Sequence, residues 1–292
     1  MRVPSLSAGL GDGRAWPAAL LPRRWRQAAR LALGWMTWPL YALYERKLAA
    51  RVLRFPPPRH VGIILDGNRR YARREGLTHA RDAYRLGARK LDDVIDWCLE
   101  AAIPAVTLWV CSTDNLERPS EQVAGILAAV EDKMRALAVD PHVHRHRIKV
   151  RAIGRLGLLP PGMQATLRAA EQATAGYEGM LLSIAVAYGG REEITDAVRS
   201  LLLKAEQAGA SLPDVARSVS PEAIGRHIYL AEAPEPDLII RTSGEVRLSG
   251  FLLWQSANSE FYFSDVLWPE FRRIDFLRAI RSFQQRNRRF GR

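Results

Sequence analysis

The sequence predicts an α/β protein with one mostly parallel central sheet flanked by helices. Three observations carry that prediction. Short, near-continuous apolar runs alternate with longer stretches whose apolar residues recur at three- and four-residue spacing, the pattern of strands buried on both faces and of the helices that cover them. Several runs end in polar, often Gly-bearing segments, and in such a sheet ligands gather outside the carboxyl ends of the strands. With 292 residues, 48% hydrophobic and 25% charged, the chain can bury a sizeable core without disulfide or metal staples.

Residues 1–22 are rich in Gly, Ala, Pro and Ser, lack periodicity and are expected to form a mobile tail. Residues 23–58 form a basic, Trp-containing extension. Arg23, Arg24, Arg26 and Arg30 precede an apolar stretch from Leu31 to Tyr44, interrupted by Pro39 and holding Trp35, Trp38 and Tyr41. That stretch falls short of the roughly 20 apolar residues that span a bilayer. Residues 23–47 are expected either to touch a membrane surface peripherally or to dock on the domain. No small-residue cleavage site is evident, so a cytoplasmic location is expected. Pro56, Pro57 and Pro58 then make a stiff stop before the folded domain expected at 59–292. Within it, strands are expected at 61–65, 105–110, 148–153, 181–187 and 238–241, and helices near 84–101, 120–137, 161–174 and 190–207.

Charge is distributed unevenly. The formal net charge is +12, yet residues 1–60 carry +9, residues 271–292 carry +7 and residues 61–270 carry −4. Positive charge confined to the ends is a poor match for a nucleic-acid groove, and zinc-finger spacing and RNA-binding aromatic signatures are absent, so no nucleic-acid partner is expected. Cys98 and Cys111 lie in apolar surroundings and read as buried free thiols of a reducing compartment.

Four strand ends hold the candidate chemistry: Asp66-Gly67-Asn68-Arg69-Arg70, Ser112-Thr113-Asp114-Asn115, Tyr188-Gly189-Gly190-Arg191 and Thr242-Ser243-Gly244-Glu245. Asp66 at a strand end can hold Mg²⁺ while the N–H groups of Gly67 to Arg70 face an anion. In isolation, the same residues read more readily as a turn in which Asp66 caps the next helix. Arg70, Arg118, Arg241 and Arg247, with Ser249, gather fixed charge and a hydroxyl at one edge of an otherwise acidic bulk, a pattern suited to phosphate. Neither a P-loop nor a GxGxxG is present.

The stretches HVGIILDGNRRYAR, TLWVCSTDNLERP, AYGGREEI and PDLIIRTSGEVRLSGFLLWQSANSEFYFSDVLWPEF resemble, in order, the cis-prenyltransferases, the family of undecaprenyl diphosphate synthase, over about residues 45–292. Within it the resemblance is nearest to the actinobacterial short-chain (2Z,6E)-farnesyl diphosphate synthases. The resemblance implies an Mg²⁺-dependent condensation of isopentenyl diphosphate with an allylic diphosphate, geranyl or farnesyl, in a homodimer. Asp66 matches the metal aspartate and Glu260 the glutamate that completes the metal site. Gly67, Asn68, Arg69, Arg70 and Tyr71 match the loop around the allylic diphosphate, and Arg241, Arg247 and Ser249, with Leu248 between the last two, match the isopentenyl diphosphate clamp. Ser112, Thr113, Asp114, Asn115 and Arg118 match the second-strand loop, with Asn115 a candidate proton acceptor or positioning group and Leu116 where long-chain members carry Trp. Arg289 and Gly291 match a tail that reaches the partner's site. The family's Arg and His in the next helix lack a clean counterpart; Tyr84 stands in the place of the His.

Two further signals read as structural. Asp92-Asp93-Val94-Ile95-Asp96 spells DDxxD, and Glu192-Glu193-Ile194-Thr195-Asp196 is the nearest second box, but both belong to helices among strands and are expected on solvated faces. His142, His144 and His146 alternate on an expected strand lead-in with no carboxylate beside them, and are expected to be surface histidines. Val110 stands where long-chain members carry Ala, which favours a short product. Alternatives left open are a long-chain decaprenyl or undecaprenyl diphosphate synthase, a non-catalytic binding subunit of a heteromeric prenyltransferase, and a branching or cyclising enzyme on the same fold.

Overall fold

The computed structural model describes residues 41–77 and 80–286. The chain divides into two compact units, residues 1–47 and 48–292. Of the first, residues 41–47 are described and are helical. The expected tail at 1–22, most of the basic extension, Arg289 and Gly291 lie outside the described residues. Among those described, no helix is long and apolar enough to cross a membrane.

The second unit is built on six parallel strands: β1 (His60–Ile64), β2 (Ala105–Trp109), β3 (Lys149–Ile153), β4 (Leu181–Ala185), β5 (Leu238–Arg241) and β6 (Glu260–Phe263). Their order is β3-β4-β2-β1-β5-β6. Every residue of β1, β2 and β5 is buried, which is why these strands read as unbroken apolar runs rather than as alternating ones. β6 was not foreseen. Its four residues EFYF are only half-buried at the sheet edge, and they follow a polar SANS segment, so neither length nor flanking pattern marks them.

The helices are α1 (Asn68–Glu75), α2 (Ala80–Glu100), α3 (Ser120–Leu137), α4 (Pro141–Arg145), α5 (Pro161–Ala173), α6 (Gly190–Gln207), α7 (Leu212–Ser218), α8 (Pro221–Gly225) and α9 (Arg273–Gln285). Helix α1, NRRYARRE, buries only Ala72 and has no apolar period to betray it. Helix α9 buries Ile274, Phe276, Leu277, Ala279 and Ile280 against the sheet, each large side chain contributing about 1.5–3 kcal/mol. Leu48, Ala49 and Val52 join the same core. Cys98 and Cys111 are buried free thiols, as read from the sequence, and desolvation pushes both up.

The three histidines are not on a strand lead-in. His142 and His144 lie in α4 and His146 caps it, because Asp140 accepts from His142 N and Pro141 starts the helix. A carboxylate does stand beside them, since His142 Nε2 is 2.9 Å from Asp96 Oδ1. His144 faces away, to Tyr177 Oη at 2.8 Å, so the set does not converge.

His60 ties β1 to its neighbours: Nδ1 lies 2.7 Å from Pro234 O and Nε2 2.8 Å from Thr107 Oγ1. Burial lowers its pKa and favours the neutral ring. A carbonyl only accepts, so Nδ1 donates and Nε2 accepts from the threonine hydroxyl. Where β3 ends, Gly154 takes φ +122, and a Cβ there would stand 2.1 Å from Val186 O. Gly154→Ala is therefore expected to cost about 2 kcal/mol or more, read as a lower urea midpoint; an unchanged midpoint would show that the β3–α5 turn is free to move.

Candidate active site

The strand order reverses at β1, which sends the chain outward through β2 on one side and receives it back through β5 on the other. A crevice opens at such a switch point. On the β1 side, Asp66 N donates to Thr242 Oγ1 at 3.0 Å, the Thr242 hydroxyl donates to Asp66 O at 2.7 Å, and Trp268 N donates to the same carbonyl at 3.0 Å. Gly67 follows with φ +108, and a Cβ on it would lie 2.9 Å from Leu267 Cδ2 and 3.1 Å from Leu267 Cα. Only glycine fits that turn.

Asp66 does not cap α1. Gly67 occupies the cap position without a side-chain bond, and the carboxylate is held elsewhere: Oδ1 accepts from Gly67 N at 2.7 Å and Oδ2 from Arg241 Nη2 at 2.8 Å. Partial burial pushes this carboxyl up, but the Arg241 guanidinium outweighs it and holds the carboxyl below its ordinary value of 3.8. Arg241 is buried at the end of β5. Its Nη1 donates to Arg247 O at 2.5 Å and to Ser249 Oγ at 2.7 Å. One guanidinium thus fixes both the aspartate and the Arg247–Ser249 loop.

That loop is strained. Ser243, Ser249 and Leu252 have φ of 84°, 52° and 46°, conformations costing about 1–3 kcal/mol each for non-glycine residues. A buried network under the loop holds it: Tyr188 Oη accepts from Leu252 N at 3.2 Å and donates to Glu193 Oε2 at 2.5 Å. Glu193 Oε1 accepts from Gln255 Nε2 and Tyr229 N, each at 3.0 Å. Glu193 is therefore no part of a solvated acidic face; it is fully buried, and desolvation pushes its carboxyl up. Asp92, Asp93 and Asp96 do lie on an exposed face of α2.

At the end of β2, Ser112 Oγ accepts from Asn115 N at 3.2 Å and caps a tight turn over Thr113–Glu117. Together these ends enclose a cavity of about 530 Å³ lined by Asp66, Gly67, Asn68, Arg69, Arg70, Ser112, Asp114, Asn115, Arg118, Arg241, Arg247 and Ser249. Arg73, Tyr84, Trp109, Cys111 and Glu245 also line it. Arg73 was missed, although its spacing from Arg69 and Arg70 is one helical turn. Six arginines face three carboxylates here. Glu245 sits between two of them, 3.1 Å from Arg247 and 3.8 Å from Arg70. Arg241 Nε and Asn68 Oδ1 are buried with no hydrogen-bond partner among the described residues.

Other expected residues are not brought to the cavity wall. Tyr71 lies under Arg74, 5.4 Å from its guanidinium carbon, Leu116 lines a neighbouring groove, and Leu248 packs on the Trp109–Phe251 cluster. Thr113 sits one residue beyond the cavity-lining Ser112. Glu260 pairs in register with Leu238 at the start of its strand, three rows from Arg241, and forms an ion pair with Arg286. Parallel register therefore keeps it from Asp66 within one chain. Among the described residues no cluster of three metal-ligating side chains forms. The donor set that does exist, one ionised carboxylate beside an anion cavity, fits Mg²⁺, which takes one or two carboxylates and completes its shell with phosphate oxygens and water.

Behind the cavity a narrower apolar channel of about 50 Å³ continues between α2, α3 and the sheet, sharing Leu65, Asn68, Tyr84, Val110 and Ile126 and ending near Met134 and Trp268. An arginine-lined chamber that runs into an apolar channel defines, by class, an enzyme for amphiphilic anions with a phosphate head and a hydrocarbon tail. The family model described as putative undecaprenyl diphosphate synthase matches residues 64–291. An isoprenyl transferase of Thermus thermophilus is 54% identical over 254 residues, 87% of this chain and 96% of that one. A (2Z,6E)-farnesyl diphosphate synthase of Thermobifida fusca is 48% identical over 259 residues, 89% of this chain and all of that one. In structure, the chain is similar to a lavandulyl diphosphate synthase from Lavandula x intermedia crystallised with dimethylallyl diphosphate, with a TM-score of 0.73, 33% identity and coverage of 81% of this chain and 99% of that one. The chain belongs to the undecaprenyl diphosphate synthase family. It is a cis-prenyltransferase, an enzyme that transfers prenyl groups in chain elongation.

The Asp66–Arg241 pair makes a pH-dependent prediction. Because the folded carboxyl titrates below its unfolded value, its stabilisation is complete above about pH 3.8 and fades as pH falls through the folded value. Asp66→Asn leaves a buried guanidinium without its counter-charge and is expected to cost about 2 kcal/mol near neutral pH, discounted for the exposure of Asp66. Urea melts should show the gap between the two proteins holding from neutral pH down to about 3.8 and narrowing only below it; a gap already lost at pH 5–6 would sink the assignment.

Proposed function

We propose that the chain condenses isopentenyl diphosphate with a geranyl or farnesyl diphosphate primer, forms a cis double bond, and stops at a short product such as (2Z,6E)-farnesyl diphosphate. The observation that carries this reading is the continuity of the arginine-lined cavity with the apolar channel. Asn68, Arg69 and Arg70, with Arg73 from the same helix, receive the allylic diphosphate. Arg241, Arg247 and Ser249 receive isopentenyl diphosphate, and the unpartnered Arg241 Nε supplies a donor for it. Asp66 holds Mg²⁺, which when bound stabilises the departing diphosphate. The arginines share that charge as the allylic C–O bond breaks. The isopentenyl double bond attacks the allylic carbon and a proton leaves the resulting cation. Asn115, at the cavity wall, orients the reacting end, and the diphosphate oxygens take the proton, because an amide is a feeble base.

The channel favours the short product. Val110 stands at the junction of cavity and channel, where its side chain takes up room that a smaller residue would leave to the tail. The homodimer expected from the resemblance is part of this reading, with Glu260 completing the metal site and Arg289 and Gly291 taking the role that the resemblance gives them. So is a cytoplasmic enzyme whose residues 23–47 rest on a membrane surface. A silent binding subunit is disfavoured because Asp66, Arg247 and Ser249 all line the cavity.

Labelled isopentenyl diphosphate with geranyl and farnesyl primers is expected to give short products, and accumulation of decaprenyl or undecaprenyl chains would overturn the short-chain reading. Chelation should abolish incorporation and Mg²⁺ restore it. Asp66→Ala should lower turnover by about 10²–10³-fold or more while circular dichroism shows the fold retained; unchanged turnover would refute the mechanism.

A further inference from the structure

The wall of the apolar channel contains one charged residue. On α3 the lining stripe runs Ile126, Ala129, Val130, Lys133 and Met134, successive turns of one helical face. Where that period calls for another apolar side chain, Lys133 stands, and its side chain is only 12% exposed. An ammonium at an apolar wall is costly unless paired. Its partner is Asp92, the first aspartate of the DDxxD sequence, which lies on the neighbouring helix α2 and is 53% exposed. The lysine methylenes complete the channel wall while the charged end reaches its partner at the rim.

The position along the channel is as informative as the charge. Tyr84 and Ile126 line both the cavity and the channel, whereas Leu91, Lys133, Met134 and Trp268 line the channel alone. Lys133 therefore stands at the far level of the channel wall, one to two helical turns beyond the shared mouth. Its ion pair also joins α2 to α3, the two helices that pack side by side around the channel. A hydrocarbon tail growing past this level must either strip the ammonium from its carboxylate or push the helices apart against the pair. Either displacement leaves a largely buried ammonium without its carboxylate against an apolar chain, which opposes the gain from burying one more isoprene unit.

Resting on the prenyl-transfer reading above, we propose that Lys133, held by Asp92, is a product-length determinant: a charged stop at the end of the tail channel. The pair touches no reacting atom, so its effect should fall on product distribution rather than on the first condensation. Lys133→Met keeps the length of the side chain and removes its charge. With labelled isopentenyl diphosphate and a geranyl or farnesyl primer, Lys133→Met is expected to move the principal product by at least one isoprene unit, and Lys133→Arg to keep the wild-type product. Asp92→Asn alters only an exposed carboxylate, is expected to lengthen the product as well, and carries the test if Lys133→Met does not fold. The same principal product in wild type and in the folded charge-removing variants would overturn the proposal, as would equal lengthening in Lys133→Arg. If wild type incorporates no label, the prenyl-transfer reading itself fails; incorporation with unchanged lengths defeats only the charged stop.

Discussion

The buried guanidinium of Arg241 is the constraint from which the site is built. At 6% side-chain exposure it must be neutralised and hydrogen-bonded where it stands. It meets that requirement through three groups on two segments: the carboxylate of Asp66 after β1, far away in sequence, and the carbonyl of Arg247 and hydroxyl of Ser249 in the loop that follows β5. Because β1 and β5 are adjacent parallel strands in register, with Ile64 opposite Arg241, the next residues on each strand must emerge side by side. Thr242 exploits this by exchanging hydrogen bonds with the Asp66 backbone. The geometry of the anion cavity is thus a consequence of strand pairing, fixed before any ligand arrives.

Much of this was legible in the sequence, for a physical reason. Strands buried on both faces must be continuously apolar, so β1, β2, β4 and β5 announce themselves, and their polar termini then mark the site. What failed to show obeyed other rules. β6 is a half-buried edge strand, and α1 is a polar helix whose position is dictated by the left-handed turn at Gly67 rather than by an apolar stripe. Glu193 was misread because helical position says which residues share a face but not that a tyrosine, a glutamine and a backbone amide converge on one of them. Glu260 was matched to the metal site by resemblance alone, and parallel register puts it at the start of its strand, opposite Leu238 rather than Arg241. The Arg73 position, by contrast, was available from helical spacing.

The charge of the molecule is best understood from the same geometry. A net +12 invites a search for a large polyanion, but the arginines that matter are few and turned inward around one cavity. Several are already engaged: Arg241 by Asp66, and Arg70 and Arg247 by Glu245. Carboxylates among anion-binding arginines lower like-charge repulsion while the cavity is open to water. Arg247 and Arg70 keep substantial exposure, at 66% and 41%, so their pairing with Glu245 is weak and yields to a stronger anion at little cost. Arg241 is different in kind, because its partners are part of the fold.

The two halves of the site are consequently built to different standards of rigidity. The diphosphate side rests on the sheet, the Tyr188–Glu193–Gln255 network and the stacked Trp109 and Phe251 rings, whose centroids are 5.3 Å apart. Every one of those groups is buried, so any displacement leaves a polar atom unsatisfied or a cavity behind. The tail side rests on α2 and α3, with Gly87 admitting Trp268 so closely that a Cβ would lie 3.0 Å from its ring. There the cross-link between helices is the ion pair of Lys133 with Asp92. Substitutions on the tail side change volume and charge without touching the groups that hold the reacting diphosphates. A family that keeps one reaction and varies the length of its product is free to vary only the second half.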